Sequence, residues 1–86
     1  MPETSQTVCQ WGDATFGQAK SVKTYALRAQ EELNELIDAI DENEPGENIV
    51  FEAADVTILL HRLAGTLGYD LSETVDKKME INRKRN

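Results

Sequence analysis

FEAADVTILL, residues 51–60, is the most apolar stretch of the chain, and it nevertheless contains two acids, Glu52 and Asp55. At about 100° per residue, a helix over residues 47–67 carries apolar side chains on nearly every side. Such a helix is predicted to be buried, and an unpaired carboxylate in a buried helix is costly. The stretch therefore predicts a helical core in which something compensates two negative charges.

Two more helices are predicted around this one. Apolar residues recur at intervals of three and four over residues 21–43, and Pro45-Gly46 ends that helix. Asp70 and Glu73 have the spacing of a capping box, which predicts the start of a third helix over residues 70–84. No strand pattern or internal repeat competes with these helices, so the predicted fold class is all-α.

The predicted domain organisation is a single helical domain over residues 1–86. Residues 1–20 lack helical spacing, and we expect an irregular N-terminal arm there, with Trp11 and Phe16 covering one end of a core formed by residues 21–85. A chain of this size buries only a modest part of its surface. We therefore expect a helical bundle of about three main helices per protomer, completed into a four-helix-bundle core by oligomerisation.

The charges are divided unevenly along the chain, whose net charge is −7. Residues 31–55 contain ten acids and no base, whereas residues 77–85 contain five bases and one acid. Two interpretations are open: both regions are solvated helix faces, or the acids hold cations and the basic tail meets an anion. An acidic chain without an extended basic face is not expected to bind nucleic acid.

Other features of the composition bear on location. No apolar run approaches about 18 residues and no basic segment precedes an apolar N-terminus, so neither a membrane span nor a secretory signal is predicted. The single cysteine, Cys9, has no partner for an internal disulfide, which fits a reducing compartment. We expect a cytoplasmic protein with no membrane partner.

Two pairs of acids have the same spacing on adjacent predicted helices. Glu32 and Glu35 are three residues apart, as are Glu52 and Asp55, so each pair projects from neighbouring positions of its helix. The short connection between the helices favours antiparallel packing, in which the pairs face each other. Converging carboxylates repel and raise one another's pKa values. A hard divalent cation, Mg²⁺ or Mn²⁺, would compensate them; solvated helix faces are the alternative.

These acids carry a resemblance to a known superfamily. Glu31-Glu32-x-x-Glu35 followed by Glu52-x-x-Asp55 resembles the signature of the MazG-like all-α nucleoside triphosphate pyrophosphohydrolases. KMEINRKR, residues 78–85, is similar to the Lys-Met-x-x-Asn-Arg-x-Arg segment of the dCTP pyrophosphatase branch. The resemblance covers residues 24–85. Leu59 stands where that branch has a tyrosine, so the resemblance does not extend to the choice of base.

The resemblance implies a function for each acid. Glu32, Glu35, Glu52 and Asp55 would bind Mg²⁺, with Mn²⁺ as a substitute, and Glu31 would act from a second shell or face solvent. The implied reaction is hydrolysis of a (d)NTP to the (d)NMP and pyrophosphate, which removes unwanted nucleotides from the pool. Glu35 and Glu32 are the predicted catalytic acids, and Glu35 is the candidate that accepts a proton from the attacking water.

A basic face is predicted on the third helix. Lys78, Asn82 and Arg85 have the spacing i, i+4 and i+7, which places them on one side. The resemblance implies that this face binds substrate phosphates; the alternative is a solvated basic helix end that complements the helix dipole. For Arg62 a structural ion pair is expected, and for His61 a position in the core or an interface.

Several alternatives remain open. The resemblance implies a nucleoside triphosphate substrate and a homodimer or homotetramer. Within the same superfamily, a phosphoribosyl-ATP pyrophosphatase shares the acidic motifs. From a different class, a non-catalytic helical dimerisation module would keep the fold and bind a protein partner. Glu52 and Asp55 argue against the module, because a non-catalytic scaffold would gain stability if these acids were replaced by apolar residues.

Overall fold

Four helices make up the computed structural model, which describes residues 2–85. The helices are α1 Ser5–Phe16, α2 Val22–Asp41, α3 Gly46–Thr66 and α4 Leu71–Arg83. No strand occurs among the described residues, so the predicted all-α class is confirmed. The two ends of the predicted domain, Met1 and Asn86, lie outside the described residues.

α3 is the central helix. It packs along α2, against α1 on another side, and with its C-terminal half against the start of α4. The turn between α2 and α3 is tight: Asn43 adopts φ 58°, and the Glu44 N–H donates to the Ala39 carbonyl at 3.1 Å. Pro45 then precedes the first residue of α3. This hairpin places the two acidic motifs on neighbouring helices, as the sequence predicts.

The predicted irregular arm over residues 1–20 is wrong, because residues 5–16 form α1. Thr4 caps this helix: its Oγ1 accepts from the Thr7 N–H at 3.2 Å, and the Thr7 Oγ1 accepts from the Thr4 N–H at 2.9 Å. Gly17 ends it with φ 80°, and its N–H donates to the Asp13 carbonyl at 3.0 Å. The described chain therefore has four helices rather than about three.

Glycine allows α1 to approach α3 closely. A Cβ on Gly12 would collide with the Nε of Arg62, and a Cβ on Gly65 would collide with the Sγ of Cys9. The Cys9 Sγ lies 3.3 Å from the Arg62 carbonyl oxygen. Each helix thus contributes one glycine to the contact. Gly12 lies in the middle of α1, where a glycine weakens a helix, but its missing side chain allows the close approach of α3.

A hydrogen-bond network joins α1, α3 and α4 at one point. The Ser5 N–H donates to the Asp70 Oδ1 at 2.8 Å, and the Leu71 N–H donates to the Ser5 Oγ at 2.7 Å. The Ser5 Oγ also lies 2.7 Å from the Nδ1 of His61. Asp70 caps α4 by accepting from the Glu73 N–H at 3.4 Å, which confirms the predicted N-cap. His61, which is half-buried, therefore belongs to a junction of three helices rather than to the buried core.

The core within one chain is small. The buried apolar side chains are Val8, Tyr25, Ala29, Ala39 and Ala64. Among residues 2–85, fifteen large apolar side chains are exposed. α3 is covered mainly by α1 and α2, so its predicted burial on all sides is not achieved by one chain. No helix in the described part of the chain has the length and apolar character that a membrane span requires.

Candidate metal centre

Three acids from α2 and α3 converge. One carboxylate oxygen from each of Glu32, Glu52 and Asp55 lies within 4.8 Å of the other two. Glu32 and Glu52 are half-buried, and Asp55 is exposed. We call this group the acidic triad. It contains three of the four predicted metal ligands, and the hairpin brings them together because the two motifs face each other across the α2–α3 contact.

The pKa values of two acids of the triad, Glu32 and Glu52, are raised. The pKa of Glu32 is raised from its ordinary value of 4.5 to about 7, first by a side-chain hydrogen bond with Glu35, then by burial and by repulsion from neighbouring acids. The pKa of Glu52 is also raised, mainly by burial and then by repulsion from Glu35, Asp55 and Glu44. The charged forms of Glu32 and Glu52 are therefore destabilised by their surroundings.

No base of the described residues forms an ion pair with the triad. The ion pairs within residues 2–85 join Arg62 to Asp13 and Lys84 to Glu80. The donor atoms of the triad are carboxylate oxygens alone. Mg²⁺ and Mn²⁺ prefer oxygen ligands, whereas zinc sites are formed mainly by Cys and His. The triad therefore fits a hard divalent cation, both by its donor atoms and by its uncompensated charge.

Glu35 and Glu31 lie beside the triad. Glu35 is exposed and is the neighbour with the largest effect on the pKa of Glu32, but its oxygens are not among those that lie within 4.8 Å of one another. The fourth predicted ligand is thus a neighbour of the triad. Glu31 lines the same cavity as Glu32 and Asp55.

A cavity of about 390 Å³ opens between α1 and the α2–α3 hairpin, and we call it the central cavity. The rings of Trp11 and Phe16 meet edge to face on its α1 side, with centroids 5.5 Å apart. Acids, arginines and apolar side chains share its lining: Trp11, Phe16, Arg28, Glu31, Glu32, Asp55, Ile58, Leu59 and Arg62. A larger cavity, of about 430 Å³, lies near the start of α4, away from the triad.

Arg28 and the placement of α1 were not predicted from the sequence. α1 brings Trp11 and Phe16 to the edge of the acidic site, although the expectation was an arm that covers a bundle end. Sequence signals for this helix exist in Thr4 and Thr7, which cap it, and in the spacing of Ser5 and Gly12, which are small and buried. The arrangement creates a site with an acidic wall and an aromatic wall.

The buried side chain of Arg62 also lines the central cavity. It is 3% exposed, and its Nη2 donates to the Asp13 Oδ1 at 3.2 Å and to the Gly17 carbonyl at 3.1 Å. Its guanidinium carbon lies 4.8 Å from the ring centroid of Tyr25 and 5.9 Å from that of Phe16. The expected structural ion pair of Arg62 is confirmed.

The predicted basic face lies elsewhere. Lys78, Asn82 and Arg85 are exposed, and none of them lines the central cavity. α4 packs mainly against α3, and its first half lies near Thr57 and His61. Within one chain, the structure therefore does not bring the predicted phosphate-binding residues to the acidic triad.

Comparisons with protein-family models, with curated proteins and with solved structures found no match to this chain. The resemblance to the MazG-like superfamily accordingly stays a prediction, carried by the acidic motifs and the segment 78–85.

Proposed function

We propose that this protein is a Mg²⁺-dependent nucleoside triphosphate pyrophosphohydrolase that converts (d)NTPs to (d)NMPs and pyrophosphate, in the manner of a nucleotide-pool house-cleaning enzyme. The observation that carries the proposal is the acidic triad, in which Glu32, Glu52 and Asp55 converge without a basic partner among the described residues. The adjoining central cavity, with aromatic and cationic side chains, gives a triphosphate a place beside these acids.

Each side chain has a task in the proposed reaction. Glu32, Glu52 and Asp55 would hold Mg²⁺, which when bound neutralises phosphate charge and lowers the pKa of an attacking water. Glu35 adjoins Glu32 and is exposed, so it can accept the proton of that water. Arg28 lines the cavity and offers a planar pair of donors to phosphate oxygens.

A second copy of the chain is part of the proposal. Within the described part of one protomer, the buried apolar side chains are one tyrosine, one valine and three alanines, whereas residues such as Ile37, Val50 and Phe51 are about half exposed or more. Exposed apolar surface of this extent marks an interface. We expect at least a dimer, in which the exposed faces complete a four-helix-bundle core. Sedimentation that showed a stable monomer at micromolar concentration would contradict this.

The second copy also gives the basic face of α4 a target. Residues 31–55 contain only acids among their charged residues, and residues 77–85 are basic, so two copies can place opposite charges together. We propose that Lys78, Asn82 and Arg85 bind phosphates at the site of the partner copy. Mixing an inactive Glu52→Gln protein with an inactive Asn82→Ala protein should then restore part of the activity. Without subunit exchange between copies, no activity should return.

The reaction is tested by pyrophosphate release from a panel of canonical and modified NTPs and dNTPs, first with Mg²⁺ and then with EDTA. Glu52→Gln should reduce turnover about 100-fold or more, because loss of an outer-shell partner of a metal site already costs about 10–100-fold. Glu47→Gln is the matched control, because Glu47 is an exposed acid on the same helix and lies outside the triad. Glu35→Gln should lose turnover and retain Mg²⁺ binding.

The other candidate function is a helical dimerisation module, which the exposed apolar residues favour. The two candidates give different results in the same assay. A folded dimer that releases no pyrophosphate from any substrate would support the module. Equal turnover by Glu52→Gln and Glu47→Gln would show that the turnover does not depend on the acidic triad. Metal-dependent release that only Glu52→Gln loses would support the enzyme. A phosphoribosyl-ATP pyrophosphatase would show turnover of phosphoribosyl-ATP alone.

A further inference from the structure

Arg62 joins three parts of the chain that meet beside the central cavity. From α3, its Nη2 donates to the Asp13 carboxylate at the end of α1 and to the Gly17 carbonyl in the following loop. Its guanidinium lies over the ring of Tyr25 in α2. The hydroxyl of Tyr25 in turn accepts from the Ala19 N–H at 3.1 Å. One side chain thus organises the end of α1 and the connection to α2.

Burial of the Arg62 guanidinium is less favourable in free energy than an apolar contact at the same position would be. Arg62 is 3% exposed, and its Nε has no hydrogen-bond partner among the described residues. A buried N–H without a partner is unfavourable, and a buried ion pair is often no more stabilising than well-packed apolar side chains. Gly12 must also lack a side chain to leave room for the guanidinium. Stability alone therefore gives a weak reason for an arginine here.

The position of Arg62 relative to the acids gives a stronger reason. Asp55 and Arg62 are seven residues apart, so they lie on the same side of α3, and both line the central cavity. The ring of Phe16 lies over the guanidinium and meets Trp11 edge to face. Arg62 therefore connects the helix that carries Asp55 to the aromatic wall that faces it.

We infer that Arg62 is a positioning residue, which holds α1 with Trp11 and Phe16 as one wall of the substrate cavity at a set distance from the acidic triad. This inference rests on the proposed function, because it assigns the cavity to a triphosphate. The triad belongs to α2 and α3, so it does not depend on α1. Loosening α1 should weaken binding of the part of the substrate that lies away from the metal, and leave the chemistry of the phosphates in place.

The test uses Arg62→Met, which keeps much of the side-chain volume, and Arg62→Lys, which keeps the charge and loses the planar pair of donors. Lys84→Met is the matched control, because it removes the basic member of an exposed ion pair on α4. Hydrogen exchange followed by mass spectrometry reports the docking of α1 directly. Steady-state kinetics, measured with the best substrate of the panel, separate KM from kcat.

We expect Arg62→Met to reduce exchange protection of residues 5–16 about 10-fold relative to residues 31–60, because a local opening of α1 becomes easier. KM should rise about 10-fold while kcat stays within about 3-fold of the wild-type value, the pattern for lost substrate binding without lost transition-state stabilisation. Arg62→Lys should fall between the wild type and Arg62→Met, and Lys84→Met should match the wild type. If Arg62→Met does not fold, Arg62→Lys carries the same comparison.

Two results would overturn the inference. Unchanged protection of α1 in the Arg62 variants would show that Arg62 does not hold this wall. Lost protection with unchanged KM would show that Arg62 stabilises α1 without affecting the substrate. A wild-type protein that turned over no triphosphate would refute the proposed function and, with it, the assignment of the cavity to substrate. The exchange measurement would then still establish whether Arg62 holds α1.

Discussion

Asp55 and Arg62 lie on the same side of α3 and line the same cavity, but among the described residues only Arg62 has a partner of opposite charge. Arg62 is buried and meets a carboxylate, a carbonyl and two aromatic rings. Asp55 belongs to a group of acids that meet one another. The chain itself compensates the first charge, whereas the acids remain uncompensated. In the proposed function, the acids that the fold leaves uncompensated bind the metal ion, whereas Arg62 has a structural role.

The largest effect that would sharpen this comparison is stabilisation by Mg²⁺. If the triad binds the ion, Mg²⁺ at 100 times its Kd should raise the free energy of unfolding by about 2.7 kcal/mol. Glu32→Gln should lose most of this response, and Arg62→Lys should keep it because Arg62 is not a ligand. The measurement is thermal unfolding over a Mg²⁺ titration, with Glu47→Gln as the matched control. A response of equal size in Glu32→Gln would place the metal elsewhere.

A smaller effect on stability should follow from displacing the Arg62 side chain without removing any charged group. Gly12→Ala introduces a Cβ that collides with Arg62, so the guanidinium must leave its partners. The higher helix propensity of alanine opposes this, and we expect a net loss of about 1–2 kcal/mol of stability. Gly46→Ala is the control, because a Cβ there meets no atom within 4 Å. Chemical denaturation of both variants measures the difference, and equal stability would refute the close contact.

The sequence predicted the parts of this molecule that depend on local pattern. Apolar spacing located α2 and α3, and Asp70 with Glu73 located the start of α4. The spacing of Glu52 and Asp55 also predicted that their carboxylates project together, because three residues correspond to neighbouring positions of a helix. These features depend on a few residues within one or two turns, so they can be recognised without knowledge of the fold.

What the sequence did not predict depends on contacts between distant residues. α1 lacks a long apolar period and contains Gly12, and both features argue against a helix. Its contacts with α3 include the pairing of Asp13 with Arg62, which are 49 residues apart. The docking of α1 forms the aromatic wall, so the position of this wall beside the triad could not be predicted from the sequence. Glu35 was expected among the ligands because spacing alone does not distinguish a member of the triad from its neighbour.

The pH dependence of stability should differ in sign between the triad and Asp70. In the metal-free protein the raised pKa of Glu32 gives stability that is fully present below about pH 4.5 and is lost as the pH rises through about 7. The pKa of Asp70 is lowered, mainly by the hydrogen bond from the Ser5 N–H, so its contribution is present above pH 3.8 and is lost as the pH falls through its folded-state pKa.

Glu32→Gln provides the test of that assignment. Because Glu32 is half-exposed, screening by solvent and salt should make the effect smaller than the response to Mg²⁺. Urea denaturation of the metal-free protein at several pH values between 4.5 and 7 should show stability falling as the pH rises, with a shallower fall in Glu32→Gln. Identical slopes in the two proteins would mean that Glu32 does not carry the shifted pKa.

The smallest effect concerns the exposed ion pair at the C-terminal end of α4, in which the Lys84 Nζ lies 3.6 Å from the Glu80 Oε1. A double-mutant cycle of Lys84→Met and Glu80→Gln should give a coupling energy of about 0.3–0.5 kcal/mol, as exposed pairs one helical turn apart do. The same cycle with Arg62→Met and Asp13→Asn should give a larger value, because burial of Arg62 limits screening by water. Equal coupling energies would mean that the partners of Arg62 do not compensate its charge more effectively than solvent does, and the contrast with the acidic triad would then lose its basis.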